Sequence, residues 1–246
     1  MGNLEKTGQY RLRTSDFDRY SRIKPAVVLD IFQDIAALQA DDMGVGFDRM
    51  VSRNVLWIIA RTKIEIVRNP ATHSVVSART WPHSPTRLTF QRDYSLRDEA
   101  GELLAKASSE WMMMNAQTRT LESIYDHYDP SGDEYSSDRA FEKKVRRSKP
   151  FPLEEATAGP FEVMPPESDV DTNGHINNTC YITYVLDALE LGADESVRTL
   201  QIDYRHEVYA GQRLKIMVKR DGHFILAQGL KADGEVAFSC EIELFE

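Results

Sequence analysis

The sequence is short of cysteine, of basic charge and of long apolar runs, and each shortage removes a class of protein. Two cysteines, Cys180 and Cys240, stand in 246 residues. Neither has a second Cys or His at zinc-ligand spacing, which argues against a disulfide scaffold and a metal site. Both are expected to be free thiols, and neither a metal nor a cofactor is expected. Basic residues number 30 against 39 acidic ones, a formal net charge of −9. That balance disfavours a nucleic-acid partner, and an acidic partner would have to dock on a local basic patch. No apolar run approaches the ~18 residues that a bilayer span requires, so no membrane insertion is expected. The first residues, 1–13, have neither the apolar core of a signal peptide nor the arginine- and serine-rich character of a transit peptide, and Lys6 stands where a myristoylation signal wants Ser or Thr. The expected location is cytoplasmic.

What is present is an apolar content of 41% and a length that can bury about three quarters of the unfolded surface. Pro25 suits a first helical turn, and from Ala26 to Ala40 apolar residues cover most of the circumference, leaving Asp30, Gln33 and Asp34 as a narrow polar edge. Strand-like stretches follow at 55–68, 74–81, 86–97 and 103–115, the last two joined through Asp98-Glu99-Ala100-Gly101-Glu102. Trp111 and the Met112-Met113-Met114 run alternate on a strand and read as core. Between Tyr125 and Lys149 the pattern dissolves into an acidic and then a basic stretch. The first half's order then returns: a short strand near 161–163, a polar stretch, a helix over 178–191 and strands at 198–207, 213–220, 224–231 and 235–245. Shifting the numbering by 153 lays Asp18 on Asp171 and Ile23 on Ile176. A repeat this long suits a duplicated domain. The expected fold class is α+β, two tandem hot-dog domains, each an antiparallel sheet wrapped around a long apolar helix: residues 1–124, a linker over 125–156, and residues 157–246.

Chemistry concentrates in Asp171-Thr172-Asn173-Gly174-His175-Ile176-Asn177-Asn178. Alternation predicts that Asp171, Asn173 and His175 share one side of an extended segment. Helix amides near Asn178 and Thr179 are candidates to receive negative charge, with Asn177 and Asn178 read first as caps. Gln201-Ile202-Asp203-Tyr204-Arg205-His206-Glu207 supplies the missing base. Glu207 at the predicted strand end would reach the site, on the face of Asp203 and Arg205, with His206 opposite. In the first repeat Tyr20 and Arg22 replace Asn173 and His175, so one site per chain is expected. Cys180 reads as a buried structural thiol.

The pair of motifs, Asp-x-Asn-x-His-x-Asn-Asn ahead of a helix and Asp-Tyr-Arg-x-Glu on the following strand, resembles the acyl-(acyl carrier protein) thioesterases, over nearly the whole chain. The resemblance implies catalytic Asp171, Asn173, His175 and Glu207, a first-domain helix that helps form the acyl pocket, hydrolysis of fatty acyl thioesters that ends chain elongation, and the acyl carrier protein as partner. Many plant members carry a cysteine directly after the glutamate; Val208 stands there, which excludes a thiol nucleophile at that place. Two routes stay open, water activated by Glu207 with help from His175 and direct attack by Asp171. Rival functions are an acyl-coenzyme A thioesterase, a hot-dog hydratase or dehydratase, and a non-catalytic acyl-binding protein. Carrier docking has two candidate surfaces: Lys143, Lys144, Arg146 and Arg147, or Arg213, Lys215, Lys219 and Arg220. Acyl chain length and oligomeric state, a homodimer included, are left open.

Overall fold

The computed structural model describes residues 4–246; Met1 and Gly2, part of the stretch read for targeting signals, lie outside the described residues. The chain divides into two units, one of residues Met1–Ile23 with Val28–Val145, the other of Arg146–Glu246 with the short segment Lys24–Val27. No described helix is long and apolar enough to cross a membrane.

In the first unit the period-two stretches become β1 (Lys6–Arg11), β2 (Val55–Ile66), β3 (Val75–Pro82), β4 (Phe90–Arg97), β5 (Leu103–Asn115) and the short β6 (Leu121–Glu122). They pair antiparallel in the order β1-β3-β4-β5-β2, with β6 beside β5. The long helix α1 (Pro25–Asp42) supplies Val28, Leu29, Phe32 and Ile35 to the core, and Phe32 stacks on Tyr94 of β4 with ring centroids 5.0 Å apart. Its solvent face differs from the expected polar edge. Asp30 and Asp34 are exposed, but so is Leu38, whereas Gln33 is half-buried and Gln39 is buried with its amide donating to the Leu4 carbonyl at 2.8 Å. The reason is the helical period: 30, 34 and 38 form one i, i+4 row, so Leu38 follows the two aspartates into solvent. A short helix, α2 (Phe47–Val51), carries Met50 into a cluster with Val45, Val55, Phe90, Met113 and Ile124, which places Met113 in the core.

The second unit repeats this plan with β7 (Ala158–Val163), α3 (Cys180–Leu189), β8 (Val197–Tyr204), β9 (Leu214–Asp221), β10 (Phe224–Leu230) and β11 (Val236–Leu244), paired antiparallel in the order β8-β11-β10-β9-β7. Tyr181 of α3 meets Tyr204 and Phe238 edge-on, at 5.8 and 5.4 Å between centroids, and locks the helix to the sheet.

Residues 138–151 have no regular secondary structure, yet their backbone is held tightly. In the first unit the buried carboxylate of Asp93 accepts the Ala140 N–H at 2.9 Å and lies 2.8 Å from His83, and the Trp81 indole donates to the Asp138 carbonyl. In the second unit Asp203 accepts the Ser148 N–H at 3.0 Å, Gln201 donates to the Arg146 carbonyl at 2.5 Å, and Gln228 exchanges two bonds with the backbone of Phe151. Burying a backbone requires partners for its polar groups, and these side chains supply them. The segment acts as a strap.

Candidate active site

The residues 171–176 do not run extended. Asp171 N–H donates to the His175 carbonyl at 2.9 Å, Gly174 N–H returns to the Asp171 carbonyl at 3.0 Å, and Val170 and Ile176 bridge at the base. The result is a tight turn closed on itself, with Gly174 at φ +82°. Asp171 is its keystone, since one carboxylate oxygen accepts the Asn173 N–H at 2.8 Å and the other the Asn173 side-chain amide at 3.3 Å. Aspartate favours such side-chain-to-backbone turns over an extended chain, which is why the expected alternation does not hold here.

Glu207 arrives by a second departure. Strand β8 ends at Tyr204, and the N–H groups of Arg205 and His206 both donate to the Ala237 carbonyl, at 2.9 and 3.1 Å. Two residues facing one acceptor make a bulge, which breaks the alternation and re-aims the side chains beyond it. Asp203 and Arg205 therefore bind the strap, while Glu207 turns toward the loop, three residues beyond the strand rather than at its end. Its anchor is the Val208 carbonyl, which accepts the Ile176 N–H at 2.9 Å, while the Tyr181 hydroxyl accepts the Val208 N–H at 3.2 Å. Burial pushes the Tyr181 phenol well up, so it stays neutral.

The outcome is an imidazole between two carboxylates. His175 Nδ1 lies 3.8 Å from Asp171 Oδ1, and its Nε2 lies 3.8 Å from Glu207 Oε1. The three side chains keep 16%, 18% and 27% exposure for His175, Asp171 and Glu207, enough for water and substrate to reach them. Asn173 is exposed, with one amide hydrogen toward Asp171 and the other directed away from that bond. All four residues anticipated from sequence thus fall in one place, and a fifth group joins them: the Tyr209 hydroxyl donates to Glu207 Oε2 at 3.0 Å. A lone tyrosine in a loop carries no sequence pattern that would single it out. The helix amide expected to receive charge is already used, because Asn177 Oδ1 accepts the Thr179 N–H at 3.0 Å. Cys180 is half-buried at the helix start rather than buried, and Cys240 is buried, its thiol pushed up by desolvation. Among the described residues no cluster of His, Cys, Asp and Glu is arranged to hold a metal ion.

The first unit builds the same frame without these groups. Asp18 N–H donates to the Arg22 carbonyl at 2.8 Å, Ser21 N–H to the Asp18 carbonyl at 3.0 Å, and Phe17 bridges Ile23. Burial disfavours the charged form of Asp18, but hydrogen bonds from the Arg22 and Tyr20 backbone and the Arg22 guanidinium outweigh it and hold the carboxyl below its usual range. The bulge recurs too, with Val67 and Arg68 both donating to the Leu104 carbonyl. One residue further on stands Asn69, whose side chain accepts the Ile23 N–H at 3.0 Å. Where the second unit presents Asn173, His175 and Glu207, the first has Tyr20, Arg22 and Asn69.

Two family models match the chain: the N-terminal domain of acyl-ACP thioesterases over residues 4–130 and the C-terminal domain over residues 153–243. An oleoyl-acyl carrier protein thioesterase of Arabidopsis thaliana chloroplasts is 31% identical over 198 residues, which cover 73% of this chain and 54% of that protein. A palmitoyl-acyl carrier protein thioesterase of the same plant is 30% identical over 67% of this chain and 42% of its own length. The chain therefore spans about half the length of these curated relatives. Among solved structures, an acyl-ACP thioesterase from Bacteroides thetaiotaomicron superposes with a TM-score of 0.84 at 25% identity, covering 99% of this chain and 98% of that one. The 12:0-ACP thioesterase from Umbellularia californica gives 0.84 at 19% identity over 100% and 98% of the two chains, a likeness of fold. The α+β fold expected from the sequence, two hot-dog units in tandem, is the fold found.

Proposed function

The chain belongs to the acyl-ACP thioesterase family, and from that premise we propose that it hydrolyses fatty acyl thioesters of the acyl carrier protein, releasing free fatty acid and carrier thiol and ending chain elongation. The observation that carries this reading is the convergence of His175 with Asp171 and Glu207, each 3.8 Å away, beside the exposed amide of Asn173.

In the proposed reaction Glu207 takes a proton from water, whose oxygen bonds to the thioester carbonyl carbon; the carbon–sulfur bond then breaks and the departing sulfur takes a proton back from the Glu207–His175 pair. The remaining Asn173 N–H stabilises charge on the carbonyl oxygen. Asp171 serves as orienter rather than nucleophile. Support comes from its bonds: both its oxygens already hold the turn, as those of Asp18 do in the first unit, where no such set of groups exists.

The test is thiol release from a panel of acyl thioesters varied in chain length and carrier. Turnover of acyl-carrier substrates is expected, and formation of enoyl products or an inert protein would refute the proposal. A single turnover in ¹⁸O-water separates the routes, because label retained on Asp171 would reveal attack by its carboxylate.

A further inference from the structure

Of the two basic stretches that the sequence offers for docking, one keeps most of its charge available, since within it only Lys144 meets a carboxylate, Glu110 at 4.0 Å. On β9, Arg213 is 2.9 Å from Glu162, Lys219 is 2.5 Å from Glu155 and Arg220 pairs with Glu195. Local carboxylates thus neutralise three of those four cations. The strap differs. Arg146, Arg147 and Lys149 are all exposed, and among the described residues none has a carboxylate within ion-pair distance. In a chain of net charge −9, three cations within four residues and without counter-charge oppose the overall field and form a local positive patch.

A charged linker would normally present such side chains on a floppy backbone, where ordering them on binding costs free energy. Here the backbone is fixed. The Arg146 carbonyl accepts from Gln201, Ser148 N–H is held by Asp203, the Ser148 carbonyl accepts from Arg205 at 2.7 Å, and Phe151 is clamped by Gln228. Ser148 itself is only 1% exposed, so the chain is anchored between the exposed Arg147 and Lys149. Arg205, which grips this segment, precedes Glu207 by two residues, at most roughly 7 Å of chain. The patch is therefore tied to the segment that supplies the proposed base.

We propose that Arg146, Arg147 and Lys149 form the docking surface for an acidic face of the acyl carrier protein, presenting the tethered thioester to the Asp171–His175–Glu207 cluster. This rests on the carrier protein being the substrate's handle, as in the proposed function. The surface sets the association step and the Michaelis constant, not the chemistry.

The experiment compares one acyl chain on two handles, the acyl carrier protein and uncharged N-acetylcysteamine, using the full chain and its R146E/R147E/K149E variant. At low salt the variant is expected to lose about tenfold to a hundredfold in kcat/KM for the carrier substrate, mostly through KM, with the small thioester unaffected. Added salt should weaken the wild-type reaction on the carrier substrate and leave the variant's nearly flat. Equal losses on both handles would make the strap merely structural, and no loss on either would remove it from docking; each overturns the proposal. A parallel loss with acyl-coenzyme A would mean that the patch reads phosphate, and would overturn it as well. The milder R146Q/R147Q/K149Q variant covers the case in which charge reversal prevents folding. Isothermal titration with unacylated carrier separates this proposal from the function itself: if no acyl thioester is hydrolysed the function fails, while loss of carrier binding in the variant still supports docking.

Discussion

Glu207 meets His175 because a bulge turns it there, and the groups around it set what it can do. As the proposed base it should carry a contribution of about 10²–10⁴-fold. Glu207→Ala is expected to lose at least about a hundredfold in kcat while its circular dichroism spectrum stays native; wild-type turnover would end its assignment. Tyr209 acts on the same carboxylate. Its hydroxyl donates to Glu207 Oε2 at 3.0 Å and so helps to orient the carboxylate toward His175. Tyr209→Phe is therefore expected to lower kcat by about threefold to tenfold, as loss of one hydrogen bond of about 1 kcal/mol would, with the melting temperature nearly unchanged. Unaltered kcat would show that the contact does not position the base.

The turn is closed by one aspartate, Asp171, and the strap is held by two, Asp93 and Asp203. Gly174 sits at φ +82° with open space where a Cβ would lie, so Gly174→Ala meets only backbone strain, about 1 kcal/mol. Ser21 occupies the matching place at φ +60°, which indicates that a side chain is tolerated. Denaturant melts of that variant should thus fall only slightly. The strap carries a larger and pH-dependent effect. Burial works against the Asp93 carboxylate, yet His83, the Ala140 N–H and Ser108 outweigh it and hold its pKa below the usual value. A depressed native pKa gives stability that is present above the unfolded value near 3.9 and is lost as pH falls through the native one. Asp93→Asn should therefore cost about 1–3 kcal/mol at neutral pH, with the gap to wild type closing below about pH 4. Urea midpoints across a pH series would measure it. None of this was legible in the sequence, where 171–175 resembled an alternating strand and 125–156 a polar linker. The alternation fails because short polar side chains bonded to backbone override periodicity, and the anchoring of the linker was hidden because the partner of Asp93 lies 47 residues away.

At the scale of the whole chain the duplication was legible because apolar positions recur with the order of the elements, and helix and sheet assignments came from that recurrence. That the four candidate residues lie close together was legible as well, from their density and spacing. Hidden were the bulge that brings Glu207 in and the Tyr209 hydroxyl, since backbone irregularity and a single loop contact leave no repeat in a sequence. Because Tyr20, Arg22 and Asn69 replace three of the four groups in the first unit, a hydrolysis-resistant acyl thioester analogue should saturate at one site per chain in a binding titration. Two per chain would contradict the proposed site.

The aspartate-closed turn, present in both units, has a use in interpreting any loss seen on replacing Asp171. Such a variant confounds collapse of the loop with loss of chemistry. Asp18 closes the same backbone turn with no imidazole to serve, and because its carboxylate also pairs with the Arg22 guanidinium, the stability lost in Asp18→Ala is an upper bound on the conformational part. A loss of stability in Asp171→Ala no larger than that bound, together with loss of turnover, would assign Asp171 to the site as well as to the turn.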